Sequence, residues 1–373
     1  MRDLGAYPWV ASDLDQRDWD SHRDSVGAVT DSGRNGHAEA ATLASIGEVA
    51  TLRRIFPRLP ASDASLVGPG DDAAVLAAPD GRYVVTTDMM IAGPDFRWAW
   101  STPTDVGWKA AATNLADVAA MGAEPTALVV AIAAPGDTPV TTLEGIADGL
   151  RAGCESLAPG CGVVGGDLSV SEVFTVAVTA FGDLQGRAPV LRSGARPGDV
   201  VAVAGTVGRA ATGLAALFAE GVDDEGVPDA DRGAAVAARV PEVAVQLRPT
   251  PPIAAGISAA IAGATAMLDV SDGLALDAGR IADASGVRLD LASEALASLA
   301  PNIDPALALT GGEDHALLAC FGADVVPPAP FVMIGSVVSR DADDSAERVT
   351  VDGHPYRRRS GWDPYSGWDG VAG

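Results

Sequence analysis

The segment TAMLDVSDG, residues 265–273, ends an apolar run with two aspartates and a glycine. A stretch with helical spacing begins directly after it, at Leu274. Two other segments have the same form, YVVTTD at 83–88 and CGVVGGD at 161–167. Short apolar runs predict buried strands, and strands that alternate with amphipathic helices predict an α/β fold.

The same alternation extends over both halves of the chain. In the first half, strands are predicted at 73–77, 83–87, 126–132 and 173–181, and helices at 101–121 and 140–157. In the second half, strands are predicted at 200–204, 265–270, 287–291, 316–321 and 331–337, and helices at 210–219 and 274–284. The pattern therefore predicts two α/β domains.

The boundary between these domains is expected in GRAPVLRSGARPGD, residues 186–199, which is dense in glycine, proline and arginine. The N-terminal residues mix Asp, Arg, Ser and Gly without an apolar period, which predicts a disordered extension. Helical spacing then begins near Glu39 and ends at Pro57. The predicted segments are an extension at 1–37, an N-terminal domain at 38–186, a C-terminal domain at 187–365 and a tail at 366–373.

The composition of the chain limits its partners and its compartment. The 373 residues carry a formal net charge of −25, so no basic stripe can displace the counterions of a nucleic acid. No apolar run is long enough to span a bilayer, and the first residues lack the apolar region of a signal peptide. The three cysteines, Cys154, Cys161 and Cys320, lack zinc-site spacing, and we expect reduced thiols in the cytoplasm.

Five acidic clusters are candidate ligands of a hard cation. They are Gly70-Asp71-Asp72, Thr86-Thr87-Asp88, Asn114 to Asp117, Gly165-Gly166-Asp167 and Asp269 to Gly273. Three of them end apolar runs, and ligands of open α/β sheets gather at the carboxyl ends of strands. We therefore expect the aspartates to converge on one crevice. Carboxylate and hydroxyl oxygens suit Mg²⁺, whereas the four scattered histidines argue against zinc.

Each cluster also has a purely structural interpretation. A Gly-Asp pair after a strand is commonly a turn, Ser271 and Asp272 can cap the following helix, and Asp117 can lie on a solvated helix face. The usual nucleotide motifs are absent from the sequence. Ala110 follows the only lysine, Lys109, which excludes a G-x-x-x-x-G-K-[ST] loop. The recurrence of such clusters after apolar runs still favours a metal site.

A family resemblance runs from about residue 41 to residue 365. It is carried by GPGDDAAVL at 68–76, TTDMMIAGPDF at 86–96, KAAATNLADVAAMGAEP at 109–125, GGD at 165–167, LRSGARPGDVVAVAG at 191–205, LDVSDGL at 268–274, GGEDHALL at 311–318 and GWD at 361–363. These motifs resemble the thiamine-monophosphate kinase family, in the superfamily of aminoimidazole ribonucleotide synthetase. The resemblance implies the two-domain α/β fold of that superfamily, with the sheets of two N-terminal domains paired in a homodimer.

The resemblance also implies an activity and its partners. This family phosphorylates thiamine monophosphate to thiamine diphosphate, with ATP as co-substrate and several Mg²⁺ ions, and its N-terminal domain binds ATP and magnesium beside the dimer interface. The phosphoryl transfer would be direct and in line. It needs no dedicated catalytic base, because the oxygen of a phosphate monoester is already ionised near neutral pH.

The functional positions of the family map onto residues of this sequence. The implied magnesium ligands are Asp72, Thr86, Thr87, Asp88, Asp117, Asp167, Asp269 and Asp272. The implied ATP contacts are Gly166, Asp167, Arg192 and Ser271, and the implied acceptor contacts are Asp95, Glu313 and Trp362. Lys109 matches a lysine in a helix of the family.

Three segments depart from the family pattern near the acceptor. Asp95 stands where the family has histidine, residues 168–171 after GGD read LSVS, and residues 362–365 read WDPY. A carboxylate would repel the acceptor phosphate, so we expect Pro94 to turn Asp95 outward. Two alternatives therefore stay open. They are a superfamily enzyme with another small phosphorylated acceptor, and a non-catalytic nucleotide- or metal-binding protein.

Overall fold

The computed structural model describes residues 41–67, 75–340, 347–357 and 361. The predicted extension and tail lie outside these ranges, as do two predicted site residues, Asp72 and Trp362.

The first half of the described chain forms a four-stranded sheet with helices. Its elements are α1 (Leu43–Ile55), β1 (Ser65–Val67), β2 (Val75–Leu76), β3 (Val84–Ile91), α2 (Pro103–Ala120), β4 (Glu124–Ala134), α3 (Val140–Leu157), β5 (Gly162–Val170) and β6 (Thr175–Asp183). The sheet has the strand order β3-β6-β4-β5, and β1 pairs with β2 separately. Only β4 and β5 run parallel, while β6 is antiparallel to both of its neighbours.

The start of α2 follows from its sequence. The Thr102 side chain accepts from the N–H of Asp105, and the Asp105 carboxylate accepts from the N–H of Thr102 at 2.8 Å. Pro103 occupies the first turn, where its missing N–H costs no hydrogen bond. These features confirm the helix predicted at 101–121. They fix the position of α2, which carries Lys109 and Asp117.

Two glycines let α2 and α3 pack in backbone contact. A Cβ at Gly107 would lie 2.1 Å from the carbonyl oxygen of Ile146. A Cβ at Gly149 would lie 2.2 Å from the carbonyl oxygen of Thr104. Any larger residue at either position would push the helices apart, so this helix pair is a rigid support for the sheet.

The two faces of the four-stranded sheet differ in burial. Val176 and Val178 of β6 are 1% exposed and belong to the core that includes α2 and α3. Side chains alternate along a strand, so their neighbours lie on the opposite face. On β3, Val85 is 60% exposed and Met89 is 56% exposed. We call the face that carries Val85 and Met89 the open face.

The second half forms a larger sheet. Its elements are β7 (Val200–Ala204), α4 (Arg209–Glu220), α5 (Ala230–Ala237), α6 (Glu242–Leu247), α7 (Ile253–Ala262), β8 (Ala266–Val270), α8 (Leu274–Ser285), β9 (Val287–Leu291), α9 (Ser293–Leu299), α10 (Pro305–Thr310), β10 (Ala316–Phe321), β11 (Val332–Ser339), β12 (Val349–Val351) and β13 (His354–Pro355). The strand order is β13-β12-β9-β11-β7-β10-β8, and only β12 and β9 pair in parallel.

One of the hydrophobic core clusters spans both halves. Met267 of β8 and Leu317 of β10 belong to the same buried cluster as Val118 of α2. A Cβ at Gly256 of α7 would lie 2.0 Å from the carbonyl oxygen of Ala119, so α7 also packs closely on α2. The end of α2 is therefore fixed against the second sheet, and residues of both halves can meet there. No described helix is long and apolar enough to cross a membrane.

One expectation about the aspartates is wrong. Asp88, Asp167 and Asp269 lie inside β3, β5 and β8, not beyond the strand ends. Backbone pairing continues through them, as in the pair of Asp88 with Val178. Because both sheets are mainly antiparallel, no common carboxyl edge gathers these residues. A polar side chain is tolerated within a strand where it faces a cleft or solvent.

Candidate active site

Three aspartates from three elements form a cluster between the halves. The Thr86 hydroxyl of β3 donates to the Asp117 carboxylate of α2 at 2.8 Å, so Thr86 faces α2. Asp88, two residues further along β3, lies on the same face. Burial, together with the smaller effects of the negative charges of Asp269 and Asp88, raises the pKa of Asp117 to about 7. We call Asp88, Asp117 and Asp269 the carboxylate cluster.

His315 supports this cluster from the second half. It is 3% exposed, and its Nδ1 lies 3.1 Å from Asp269 Oδ2. Burial alone would lower the pKa of His315, but the hydrogen bond and charge of Asp269 raise it. His315 is therefore a hydrogen-bond partner that orients Asp269. Sequence reasoning missed this role, although His315 lies two residues after Glu313 in the GGEDHALL segment.

The cluster offers oxygen ligands without forming a finished cage. No group of three His, Cys, Asp or Glu side chains in the described ranges is arranged to hold a metal ion. Mg²⁺ commonly takes only one or two protein carboxylates and completes its shell with water and phosphate oxygens. Burial and the charges of Asp269 and Glu313 raise the pKa of Asp88, with burial the larger cause. This donor chemistry fits Mg²⁺ shared with a phosphate.

Asp277 and Arg280 stabilise the turn after β8. Asp277, 1% exposed, accepts from the N–H groups of Asp272 at 3.1 Å and Gly273 at 3.2 Å. Burial raises the pKa of Asp277 to about 6. Arg280 bridges Asp277 at 2.5 Å and Asp272 at 2.7 Å. The predicted magnesium ligand Asp272 is thus paired with Arg280, and sequence reasoning missed Arg280 and Asp277.

Glu313 is held in place by an unusual backbone and by the only lysine. Its φ of 72° lies in the left-handed region, and its N–H donates to the carbonyl of Ser271 at 2.9 Å. A Cβ at Gly312 would lie 2.2 Å from that same carbonyl, so the loop needs glycine there. Lys109, 5% exposed, forms an ion pair with Glu313. Although burial opposes it, this lysine lowers the pKa of Glu313.

A cavity of about 390 Å³ opens beside Glu313. Phe96, Trp100, Leu217 and Phe218 contribute apolar wall, while Ser271, Lys109 and Glu313 line a polar part. Pockets of this size and character are typical of small-molecule sites. The cavity therefore joins the region of Ser271 and Glu313 to an aromatic region formed by both halves of the chain.

Asp95 borders this cavity, but its carboxylate is engaged by its own strand. The N–H of Ile91 donates to Asp95 Oδ2 at 2.7 Å. Burial raises the pKa of Asp95, and this hydrogen bond opposes that effect. The expectation that Asp95 turns away from the cavity is met only in part, because Asp95 remains a lining residue.

Asp167 lies on the open face, apart from the carboxylate cluster. Its neighbour Leu168 packs against residues of α1 and α3, and Ser169 donates to Asp167 at 2.7 Å. The strands β3 and β5 are opposite edges of the sheet, about 14 Å apart at ~4.8 Å per strand. The expectation of one crevice for all aspartates is therefore wrong within a single chain. At Gly166 a Cβ would lie 2.0 Å from the Val130 carbonyl, so only glycine fits.

The remaining predicted residues are also placed by the structure. Thr87 lies on the open face, where its hydroxyl accepts from Thr179 at 3.2 Å. Arg192 lies between β6 and β7 with an exposed side chain, and its carbonyl accepts from the Ser285 hydroxyl at 2.9 Å. The structure thus groups Thr86, the carboxylate cluster, Ser271 and Glu313, and it separates Thr87, Gly166 and Asp167 from them.

Comparison with known proteins identifies the family of this chain. Residues 70–184 match the N-terminal domain of AIR synthase related protein, and residues 196–323 match its C-terminal domain. A thiamine-monophosphate kinase of Mycobacterium tuberculosis is 45% identical over 339 residues, which cover 88% of this chain and 94% of that protein. The chain belongs to the thiamine-monophosphate kinase family. The resemblance found in the sequence is thereby confirmed.

Solved structures of thiamine monophosphate kinases share the fold. The enzyme from Aquifex aeolicus is 32% identical with a TM-score of 0.62, covering 75% of this chain and 91% of that chain. AaThiL complexed with AMPPCP and TMP is 31% identical with a TM-score of 0.62, covering 75% of this chain and 86% of that chain. The two-domain mixed α/β fold expected from the sequence is therefore that of this family.

Proposed function

We propose that this chain transfers the γ-phosphoryl group of ATP to thiamine monophosphate, yielding ADP and thiamine diphosphate. The observation that carries the proposal is the junction of the carboxylate cluster with the cavity at Ser271 and Glu313. The carboxylate cluster suits cations and the polyphosphate that they bind, and the cavity suits an aromatic acceptor. Family membership and the relative complexed with AMPPCP and TMP support the same reaction.

Mg²⁺ would be held by one or two carboxylates of the cluster of Asp88, Asp117 and Asp269, with Thr86 as a neighbouring hydroxyl. Bound there, it would neutralise the charge of the phosphates as they approach each other. Asp72, Asp167, Thr87 and Asp272 remain proposed ligands of further ions. Gly166, Arg192 and Ser271 remain proposed ATP contacts.

The chain's own residues would orient the reactants and need not move a proton. The acceptor is a phosphate monoester whose oxygen is already ionised, so a dedicated base is unnecessary. His315 fixes the orientation of Asp269, and Lys109 fixes that of Glu313. Such positioning is a large part of catalysis when two anions must meet in line.

The cavity would hold the organic part of the acceptor. Thiamine monophosphate carries a cationic thiazolium ring and an aminopyrimidine ring, which suit aromatic walls and a nearby carboxylate. Glu313 would face the thiazolium, and Asp95 and Trp362 remain proposed contacts. This arrangement leaves the phosphate end of the acceptor directed to the carboxylate cluster.

We further propose that the chain acts as a cytoplasmic homodimer. The open face carries exposed apolar side chains, including Val85 and Met89, and also bears Thr87 and Asp167. A second copy that covers this face would bury apolar surface and would place Asp167 at an interface. We also retain the proposed domain limits, 38–186 and 187–365.

The dimer is tested by its mass in solution. Light scattering should give twice the mass of the chain for wild type, and Met89→Glu should reduce it. Val326→Glu is a matched control, because Val326 is 86% exposed in a loop before β11. A wild-type monomer at micromolar concentration would contradict the proposal.

The reaction is tested by product analysis with ATP, Mg²⁺ and thiamine monophosphate. We expect ADP and thiamine diphosphate in equal amounts, with EDTA stopping the reaction and Mg²⁺ restoring it. A strong preference for another monophosphate would instead support the altered-acceptor enzyme. ATP binding without turnover of any acceptor would support a non-catalytic protein.

A further inference from the structure

Arg97 is a buried cation without a polar partner among the described residues. It is 9% exposed and lines the cavity. Its Nε has no hydrogen-bond partner, and within the described ranges its guanidinium group forms no hydrogen bond or ion pair. Burying a guanidinium without acceptors is costly, and burial lowers the pKa of Arg97. Such a group in a cavity wall is expected to meet an acceptor on a ligand.

Aromatic rings fix the position of this guanidinium. Its central carbon lies 4.7 Å from the Phe218 ring and 5.2 Å from the Trp100 ring. Trp100 is itself anchored, because its Nε1–H donates to the carbonyl of Gly221 at 2.8 Å. Arg97 is therefore held by stacking, which leaves its in-plane N–H groups free to donate.

The neighbouring carboxylates are engaged elsewhere. Asp95 accepts from Ile91, Asp105 is paired with Arg248, and Glu313 is paired with Lys109. Burial lowers the pKa of Arg97, and the negative charge of Asp95 partly opposes this. Burial raises the pKa of Glu313, but the charges of Lys109 and His315 lower it. Arg97 thus belongs to the aromatic part of the cavity, away from the carboxylate cluster.

We infer that Arg97 donates hydrogen bonds to a ring nitrogen of the acceptor's aminopyrimidine and thereby determines acceptor specificity. This inference rests on the proposed function. The thiazolium is cationic and would repel Arg97, and the phosphate must lie at the carboxylate cluster to react. The pyrimidine nitrogens are the acceptor atoms that fit the aromatic part of the cavity.

The inference is tested with Arg97→Met and Arg97→Lys, the second keeping the charge but not the planar fork. The substrates are thiamine monophosphate and its two monodeaza analogues, in which one pyrimidine nitrogen is replaced by CH. For thiamine monophosphate, Arg97→Met should raise the KM about 10- to 100-fold, as expected for a hydrogen bond from a charged donor. The KM for ATP and kcat should change far less.

The analogues identify the atom that Arg97 contacts. For one of the two analogues, the KM of wild type should be higher than for thiamine monophosphate by a similar factor. Arg97→Met should not raise the KM for that analogue any further. Arg187→Met is the control, because Arg187 lies outside the cavity and donates to Gln185 at 2.8 Å. It should leave every KM unchanged, and melting curves should report folding.

Two outcomes would overturn the inference. If Arg97→Met raises the KM by the same factor for thiamine monophosphate and both analogues, Arg97 binds the phosphate or stabilises the fold. An unchanged KM in both Arg97 variants would show that it contacts no acceptor atom. Both results require an active wild type. A wild type that neither binds nor phosphorylates thiamine monophosphate would overturn the proposed function as well.

Discussion

The carboxylate cluster and the cavity wall differ in how their negative charges are neutralised. Beside the cavity, Glu313 pairs with Lys109, and Asp105 pairs with Arg248. In the cluster, no ion pair between Asp88 or Asp117 and a cation is found among the described residues, and Asp269 has only His315. Buried carboxylates that repel each other take up protons or bind cations from solution. In the proposed function, this difference separates a region for metal and phosphate from a region for an organic acceptor.

The largest effect should come from removing a charge of the carboxylate cluster. Asp88→Asn should lower kcat about 100-fold or more with the fold intact, because electrostatic stabilisation of the transferred group is lost. Asp167→Asn should do the same if the open face completes the site in a dimer. Asp283→Asn is the control, since Asp283 forms surface ion pairs with Arg340 and Arg348. Near-normal kcat at ordinary Mg²⁺ would remove the residue concerned from the metal site.

A smaller effect should follow from breaking an ion pair of the cavity wall. Lys109→Met should raise the KM for the acceptor about 10-fold, equivalent to 1.4 kcal/mol, because Glu313 loses its anchor. The combined variant with Glu313→Gln should be no worse than the more damaging single change. Additive losses in steady-state kinetics would show that the two residues act independently.

The cluster should also make the metal-free protein sensitive to pH. The Asp117 pKa rises from 3.8 when unfolded to about 7 when folded, so the native state binds the extra proton between these values. The contribution of Asp117 to the free energy of unfolding is therefore fully present below about pH 4 and is lost as the pH rises towards 7. The loss is at most about 1.4 kcal/mol for each unit by which folding raises the pKa. In denaturant titrations, the free energy of unfolding of Asp117→Asn should fall less with rising pH than that of wild type. Added Mg²⁺ should make this fall smaller in wild type. An equal slope in both proteins would contradict the assignment.

The smallest effect is expected at Asp95. Its carboxylate already accepts from Ile91, so Asp95→His should leave the KM for thiamine monophosphate unchanged or lower it. Histidine would add a hydrogen-bond donor near the acceptor and would remove a negative charge. If activity is destroyed in the standard assay, Asp95 takes part in the reaction and the site departs from the family.

Much of the element pattern could be predicted from the sequence. The predicted limits of α3, β7, β9 and β10 equal those of the structure, because each has a clear period bounded by turn residues. Capping residues and Pro103 likewise indicate where α2 begins. The lengths of β3 and β11 were underestimated, since polar residues continue a strand when its backbone stays paired.

The placement of the site residues depended on contacts that the sequence does not show. The parallel register that pairs Asp167 of β5 with Ala131 of β4 puts Asp167 on the open face, although its motif resembles the one around Asp88. The roles of His315 and Arg97 follow from burial and from partners distant in the chain. The partners of Asp277 lie within five residues of it, but its burial is not visible in the sequence. The family resemblance implies a ligand set, which stays a prediction, and the structure shows which of its described members meet within one chain.

Direct phosphoryl transfer is tested most directly with ATP whose γ-phosphorus is made chiral by oxygen isotopes. Thiamine diphosphate formed from it should carry the label in its terminal phosphate with inverted configuration, because one in-line displacement inverts phosphorus. Retention of configuration would reveal a phosphorylated enzyme intermediate, which this site without a dedicated nucleophile does not predict. Label found only in inorganic phosphate would show ATP hydrolysis and would contradict the proposed transfer.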